Sequence, residues 1–302
     1  FEEVGILLCV AESGVAIETC AFIGSSPIRR FAEDWSLDTM LKNVETSVSA
    51  LVKEHLPVMF VTEDTTRADA ETLVKLYEAA IGAGAKRICF SDTVGHATPD
   101  GVRNLLTFAR DEIVRGRPVK IDYHGHNDRG LGTINALAAT EIADRVHGCA
   151  LGIGERVGNS SMDQLLINLY LDGVIKRDLT PLVEYVSLVS EHCGIPIPPN
   201  YPALGSDAFR TATGVHAAAV VKAIRKGDRA LADRVYSGVP ASVLGRAQGI
   251  EVGPMSGESN VVFWLEHRGY EPTRERIDRI MAAAKESDRL LTDEQLRALA
   301  GT

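Results

Sequence analysis

Five short runs of β-branched and other apolar residues recur through the first half of the chain, and an amphipathic stretch follows each of the first four. The runs are 16–23 (AIETCAFI), 57–62 (PVMFVT), 87–91 (RICFS), 119–123 (VKIDY) and 145–151 (RVHGCAL). The stretches between them, 37–54, 70–81, 99–113 and 129–142, carry apolar residues at helical spacing. One start is well marked, with Thr98 as N-cap, Pro99 at the first helical position and Asp100 in the first turn. Strand, helix, strand at a repeat of roughly 30 residues requires parallel strands joined by right-handed crossovers.

An open doubly wound sheet and a closed barrel both satisfy that pattern, and the polar residues choose between them. Ser25 and Ser26, Glu63 and Asp64, Asp92 and Thr93, His124 and His126, and Glu155 and Asn159 follow the five strands in turn. A doubly wound sheet concentrates function at one switch point, whereas a TIM barrel gathers its site from the C-terminal ends of successive strands. The expected fold is therefore an α/β (β/α)8 TIM barrel, with about three βα units expected before Phe1. Phe1 to Leu8 reads as a helix already under way. The expected domains are a partial catalytic barrel over 1–175, a helical linker over 176–239 and a small α/β subdomain over 240–302. Together the last two form a mainly helical C-terminal extension, with helices expected at 179–193 and 214–225.

Charge narrows the partners. Lys plus Arg number 32 against 41 Asp plus Glu, a net charge of −9, which argues against a general nucleic-acid binder. No apolar run approaches the roughly 20 residues needed to cross a bilayer, so no membrane partner is expected. Five widely spaced cysteines, Cys9, Cys20, Cys89, Cys149 and Cys193, fit reduced thiols in a cytoplasmic protein.

The strongest local motif is His124-Gly125-His126-Asn127-Asp128. Positions i and i+2 of a strand share a face, so both imidazoles can reach one ion, with Gly125 leaving room between them. Asp128 is a candidate partner for a ring N–H. An isolated His-x-His is also often just hydrogen bonded in a loop, and the strand-end position is what favours metal. The loop from Gly152 to Ser160 imitates a dinucleotide fingerprint, with Asp172 at a suggestive distance. That use needs a further hydrophobic strand, and 172–177 (DGVIKR) is a poor one. Close backbone approach to a ligand or metal, with Asn159 offering its amide oxygen, is the preferred use. Glu63 to Arg67, taken alone, reads as a surface ion pair, and Ser91 to Gly95 reads equally as a carboxylate cradle or a turn. His216 and Tyr236 have no local chemical logic in sequence, and His55, His96, His147, His192 and His267 have no assigned role.

Assembled, these residues resemble the metal-dependent acyl-CoA:2-oxo-acid Claisen synthases: 2-isopropylmalate, homocitrate and citramalate synthases. The matching blocks are FIGSSPI (22–28), TEDTTR (62–67), DTVG (92–95), HGHNDRG (124–130), GIGERVGN (152–159), Gly205-Ser206 with Gly214-Val215-His216, and GPMSG (253–257). The HGHND and GIGERVGN blocks are the specific ones. The resemblance implies that His124, His126 and Asn159 bind a divalent cation, Zn²⁺, Mn²⁺ or Mg²⁺. It implies catalytic roles for Glu63, His216 and Tyr236, with Arg67 and Thr93 binding substrate. Acetyl-CoA would be the co-substrate and a small 2-oxo acid the acceptor, most closely 2-oxoisovalerate. It also implies a homodimer in which His216 serves the neighbouring barrel.

Three departures accompany the resemblance. The family's Asp-Arg-Glu signature has no counterpart after Phe1, Arg29 stands where 2-isopropylmalate synthases often carry His, and no leucine-binding regulatory domain is expected. The related lyases that cleave 3-hydroxy-3-methylglutaryl-CoA are a weaker alternative, because they place a mobile Cys where this loop has Glu155-Arg156. A non-catalytic scaffold subunit is the alternative from another class.

Overall fold

The structure, a computed structural model, describes residue 7 and residues 10–301. Apart from Leu7, the helix expected at Phe1 to Leu8 falls outside the described residues, as does Cys9. Two compact units divide at Leu169 and Tyr170.

The first unit is built on a parallel sheet of five strands in sequential order. These are β1 (Thr19–Gly24), β2 (Val58–Glu63), β3 (Arg87–Asp92), β4 (Lys120–Gly125) and β5 (Arg145–Val146). Between them run α1 (Pro27–Ala32), α2 (Leu37–Lys53), α3 (Ala70–Gly82), α4 (Pro99–Phe108) and α5 (Gly132–Ala139). This is the βα order of a TIM-barrel wall, as the polar strand ends imply. Thr98 caps α4 by accepting the Gly101 N–H at 3.2 Å, with Pro99 next to it. A π turn over Ala109–Val114 carries α4 on to the end expected for it.

Alternation along the strands separates the two faces of the sheet. Val58, Phe60 and Thr62 of β2 are buried, while Met59, Val61 and Glu63 between them are half-buried. On the helix-covered face Tyr77 packs on Phe90, with ring centroids 4.5 Å apart, and edge-on to Phe60 at 5.8 Å. Burying aromatics of this size contributes roughly 1.5–3 kcal/mol each. The Tyr77 hydroxyl donates to the Cys89 carbonyl at 2.7 Å, so the core keeps its polar tip satisfied.

The last strand of the sheet and α5 are shorter than the pattern predicts, as is β1, which starts at Thr19. The last strand was expected to run to Leu151 and stops at Val146, because Cys149 turns to pair with the segment at Ser160 and Ser161. Leu151 takes a left-handed conformation, φ 57°, and gives its N–H to Asp163. α5 starts at Gly132 instead of Arg129, since the Asn127 side chain takes the Gly132 N–H at 2.8 Å and 127–131 form a turn. Among the described residues α6 (Met162–Leu171) is followed by the helix at Pro181–Cys193 with no strand between them, and the five-stranded sheet gains no sixth strand, which removes the dinucleotide alternative.

The second unit is mostly helical. It contains α7 (Pro181–Cys193), α8 (Gly214–Arg225), α9 (Arg229–Ala232), α10 (Glu258–His267), α11 (Arg274–Glu286) and α12 (Asp293–Ala300). Two short parallel strands, β6 (Arg210–Thr211) and β7 (Gly249–Ile250), pair with each other. Trp264, Leu265, Ile277, Ile280 and Leu296 close one core, and Val220, Val221, Ile250 and Phe263 another. Among the described residues no helix is long and apolar enough to cross a membrane.

Candidate active site

The site begins with the register of the sheet. Ser91 of β3 pairs with His124 of β4, and Thr62 of β2 pairs with Phe90 of β3. Continuing one residue puts Glu63 level with Ser91, and hence level with His124 two strands away. At strand spacings near 4.8 Å that is about 10 Å between backbones. Glu63 is half-buried at the end of β2, with Arg29 Nε 4.0 Å from its Oε2. Its carbonyl accepts both the N–H and the hydroxyl of Ser25 at 2.9 Å, tying the first two rim loops together.

His124 and His126 converge, their Nε2 atoms 3.3 Å apart and their rings edge-to-face. Gly125 leaves room, but for Tyr123: a Cβ there would lie 2.7 Å from the Tyr123 hydroxyl. Burial, then the neighbouring His147 and His126, push the His124 pKa down to about 4, so its ring is neutral and able to ligate at pH 7. His126 is 8% exposed, and its Nδ1 has no partner. Asn159 faces His126 across an isolated bridge. Its Nδ2 donates to the Ile153 carbonyl at 2.8 Å, while its buried Oδ1 has no partner. An unpartnered amide oxygen on the residue bridging His126, together with two converging imidazoles, is a donor set that fits a divalent cation of the Zn²⁺, Mn²⁺ or Mg²⁺ class. Among the described residues no three His, Cys, Asp or Glu side chains cluster closely enough to hold a metal by themselves.

The glycine-rich loop holds Asn159 in place. Gly158 has φ 95°, and a Cβ on it would collide with the Gly152 carbonyl oxygen. The Asn159 N–H donates to that same oxygen at 2.8 Å. Arg156 forks onto Asp128, Nε–Oδ1 2.7 Å, and donates to the Thr93 carbonyl at 2.6 Å. Asp128 therefore serves Arg156 and not a histidine ring, correcting the sequence expectation. Its guanidinium partner holds the Asp128 pKa below the usual carboxylate range.

Thr93 accepts the Asp64 N–H at 2.8 Å, which orients its hydroxyl and leaves its proton to donate. Arg67 binds Asp64 through Nε and Nη2, both at 2.7 Å. That pairing, with Asp64 buried and at φ 59°, makes Arg67 first of all the clamp of its own turn. In the second unit His216, in the first turn of α8, stacks on Tyr236 with ring centroids 4.1 Å apart and an interplanar angle of 29°. Both are exposed.

Sequence reasoning left His147 without a role. In the structure its ring centroid lies 5.7 Å from that of His124, and its Nε2 lies 3.0 Å from the buried Asp122. The available signal was Asp122 itself, which shares a strand face with His124.

Parallel βα units with chemistry gathered at the strand ends define a protein of the TIM-barrel class. The HMGL-like family model matches residues 12–189, and the chain belongs to that family. A probable 2-isopropylmalate synthase of Methanopyrus kandleri is 33% identical over 88% of this chain and 51% of its own length. A homocitrate synthase of Sulfolobus acidocaldarius is 32% identical over 82% and 51%. A 2-isopropylmalate synthase of Pyrococcus abyssi is 32% identical over 92% and 58%. The chain thus spans about half the length of the curated relatives it matches. Among solved structures, an HMG-CoA lyase from Pseudomonas aeruginosa shares the fold at a TM-score of 0.53 and 19% identity, covering 62% of this chain and 66% of its own.

Proposed function

We propose that this chain carries the catalytic part of an acyl-CoA:2-oxo-acid Claisen synthase, with acetyl-CoA as donor and 2-oxoisovalerate as the first-choice acceptor. The observation that carries the reading is the convergence of His124 and His126, with a buried unpartnered oxygen on Asn159, the residue that bridges His126. Relatives named as 2-isopropylmalate and homocitrate synthases support it. A divalent cation held by His124, His126 and Asn159 supplies Lewis-acid polarisation of the keto group when bound. Thr93 donates its hydroxyl proton to the acceptor's carboxylate. Glu63 and His216 divide the proton transfers: removal of a methyl proton from acetyl-CoA and protonation of the new alkoxide. Water then hydrolyses the thioester, and CoA leaves as the free thiol. Tyr236 fixes the His216 ring by stacking and brings a hydroxyl to it. His216 belongs to the second unit, and in this reading it serves the barrel of a partner copy in a homodimer in the cytoplasm.

A thiol-release assay tests the reading, using the intact protein, acetyl-CoA and a panel of 2-oxoisovalerate, 2-oxoglutarate, pyruvate and glyoxylate, with added Mn²⁺ or Zn²⁺ and with chelator. Chelator-sensitive release with one acceptor is expected. No release with any acceptor overturns the reading.

A further inference from the structure

Beside the two converging imidazoles stands a third that the proposed reaction does not use. Tyr123 of β4 pairs with Val146 at the end of β5. One residue further on, His147 is therefore level with His124 on the neighbouring strand and on the same face of the sheet. Its N–H donates to the Tyr123 carbonyl at 2.9 Å, which extends the ladder by that residue. The two rings lie 5.7 Å apart between centroids and are tilted by 54°.

The rings differ in how they are held. His147 Nε2 lies 3.0 Å from Asp122 Oδ2, and because a carboxylate can only accept, the histidine donates. Asp122 is fully buried, two residues before His124 on the same strand face, and is itself gripped by Arg87 and Arg145. The His124 ring has no such anchor. Among the described residues its hydrogen-bonding contact is His126 Nε2, through the very nitrogen that a shared cation would take. A ligating histidine ordinarily gives its other ring N–H to a carboxylate or carbonyl, which fixes the direction of the metal-binding nitrogen. Without that bond, the His124 ring is directed by what packs against it. Barrel interiors are usually filled with Val, Ile and Leu, and replacing a buried ion network by such side chains is often neutral or stabilising. Stability alone therefore does not account for the charged layer next to His124.

We propose that His147 is a positioning residue for the metal site: held by Asp122, its ring walls that of His124 and keeps His124 Nε2 aimed at the cation. The role rests on the metal reading of His124, His126 and Asn159, and is independent of which acceptor the enzyme takes.

The test is titration of Zn²⁺ and Co²⁺ into the intact metal-free protein and into H147Q, H147F and H124Q, each checked by thermal melting. Gln keeps a donor for Asp122 but removes the ring, whereas Phe keeps a ring and gives Asp122 nothing. Both should bind Zn²⁺ about tenfold more weakly than the wild type. The visible absorption of bound Co²⁺ should change in position or intensity, because His124 then meets the ion at a different angle. H147Q should melt close to the wild type, which separates positioning from a purely structural service to Asp122. Wild-type Zn²⁺ affinity with an unaltered Co²⁺ spectrum in either variant overturns the role, and if H147Q does not fold, H147F decides alone. Metal binding unchanged in H124Q overturns the metal reading and this role together. Metal binding weakened in H147Q and H147F, with no thiol release from the wild type toward any acceptor, overturns the synthase reading and leaves the role standing.

Discussion

His147 presents Nε2 to the carboxylate of Asp122 at 3.0 Å, two residues along β4 from His124. Asp122 is fully buried and also receives Arg87 Nη1 at 2.7 Å and Arg145 Nε at 2.6 Å. Burial opposes its ionisation, but the hydrogen bonds from His147, Arg87 and Arg145 outweigh burial and hold its pKa below the ordinary value. Glu18 bridges the same two arginines from β1's side, so the network links β3, β5 and the segment before β1.

Replacing Asp122 by Asn removes the charge and leaves two arginines facing an amide. Breaking a buried pair this way costs about 3 kcal/mol or more. Because the folded pKa is depressed, the stabilisation is complete above the unfolded value near 3.9 and is lost as pH falls through the folded one. Urea unfolding at pH 7 and at pH 3.5 should show the gap between wild type and D122N narrowing on acidification. A gap that widens would refute the ion-pair account.

His124 gives a slope of the same sign at higher pH. Its folded pKa of about 4 lies below the unfolded value of about 6.5, chiefly through burial. Between those pH values the unfolded chain binds one more proton than the folded chain, so metal-free protein loses stability as pH drops from 6.5 towards 4. H124Q should remove that part of the slope and should also abolish retention of Zn²⁺ after dialysis. An unchanged metal content by elemental analysis would show that the ligands lie elsewhere.

The β/α order was legible because it rests on alternation and on local signals such as Thr98-Pro99-Asp100, which the structure uses as caps. The His124 and His126 pair was legible for the same reason, since two-residue spacing on a strand fixes a common face. What the sequence hid was long-range partner choice. Nothing local decides that Asp128 takes Arg156, 28 residues away, or that Glu63 faces Arg29, 34 residues back in the chain. The truncation of β5 was hidden too, because it depends on a backbone bridge from Cys149 to Ser161.

The glycine-rich loop gives a steric prediction. Ala at 158 would have to adopt φ 95° and would drive its methyl into the Gly152 carbonyl, the acceptor for Asn159 N–H. Left-handed strain alone costs about 1 kcal/mol or more, and the clash must displace the segment carrying Asn159. G158A should lower metal affinity at least tenfold while far-UV circular dichroism is retained. Ala at Gly116 is the control: φ is 75° there but nothing lies within 4 Å of the added methyl. It should cost only the backbone strain and leave metal binding intact. Equal metal affinity in the two variants would disprove the steric argument.

The stacked pair in the second unit separates packing from chemistry. Phe at 236 keeps the ring that lies against His216 and removes only the hydroxyl, whereas Ala removes both. Since Tyr236 is 47% exposed, neither change should cost much stability. If the hydroxyl takes part in proton transfer, Y236F should lower kcat about 100-fold with KM for the 2-oxo acid little changed, within the range of a lost general acid or base. H216N should fall at least as far, and the double variant little further, because groups acting as a unit are not additive. Mixing H216N with a variant inactivated at Glu63 checks the cross-subunit arrangement: heterodimers pairing one intact barrel with one intact His216 should regain part of the wild-type rate. Absence of any recovery, with dimers shown to exchange by native mass spectrometry, would place His216 in the service of its own barrel.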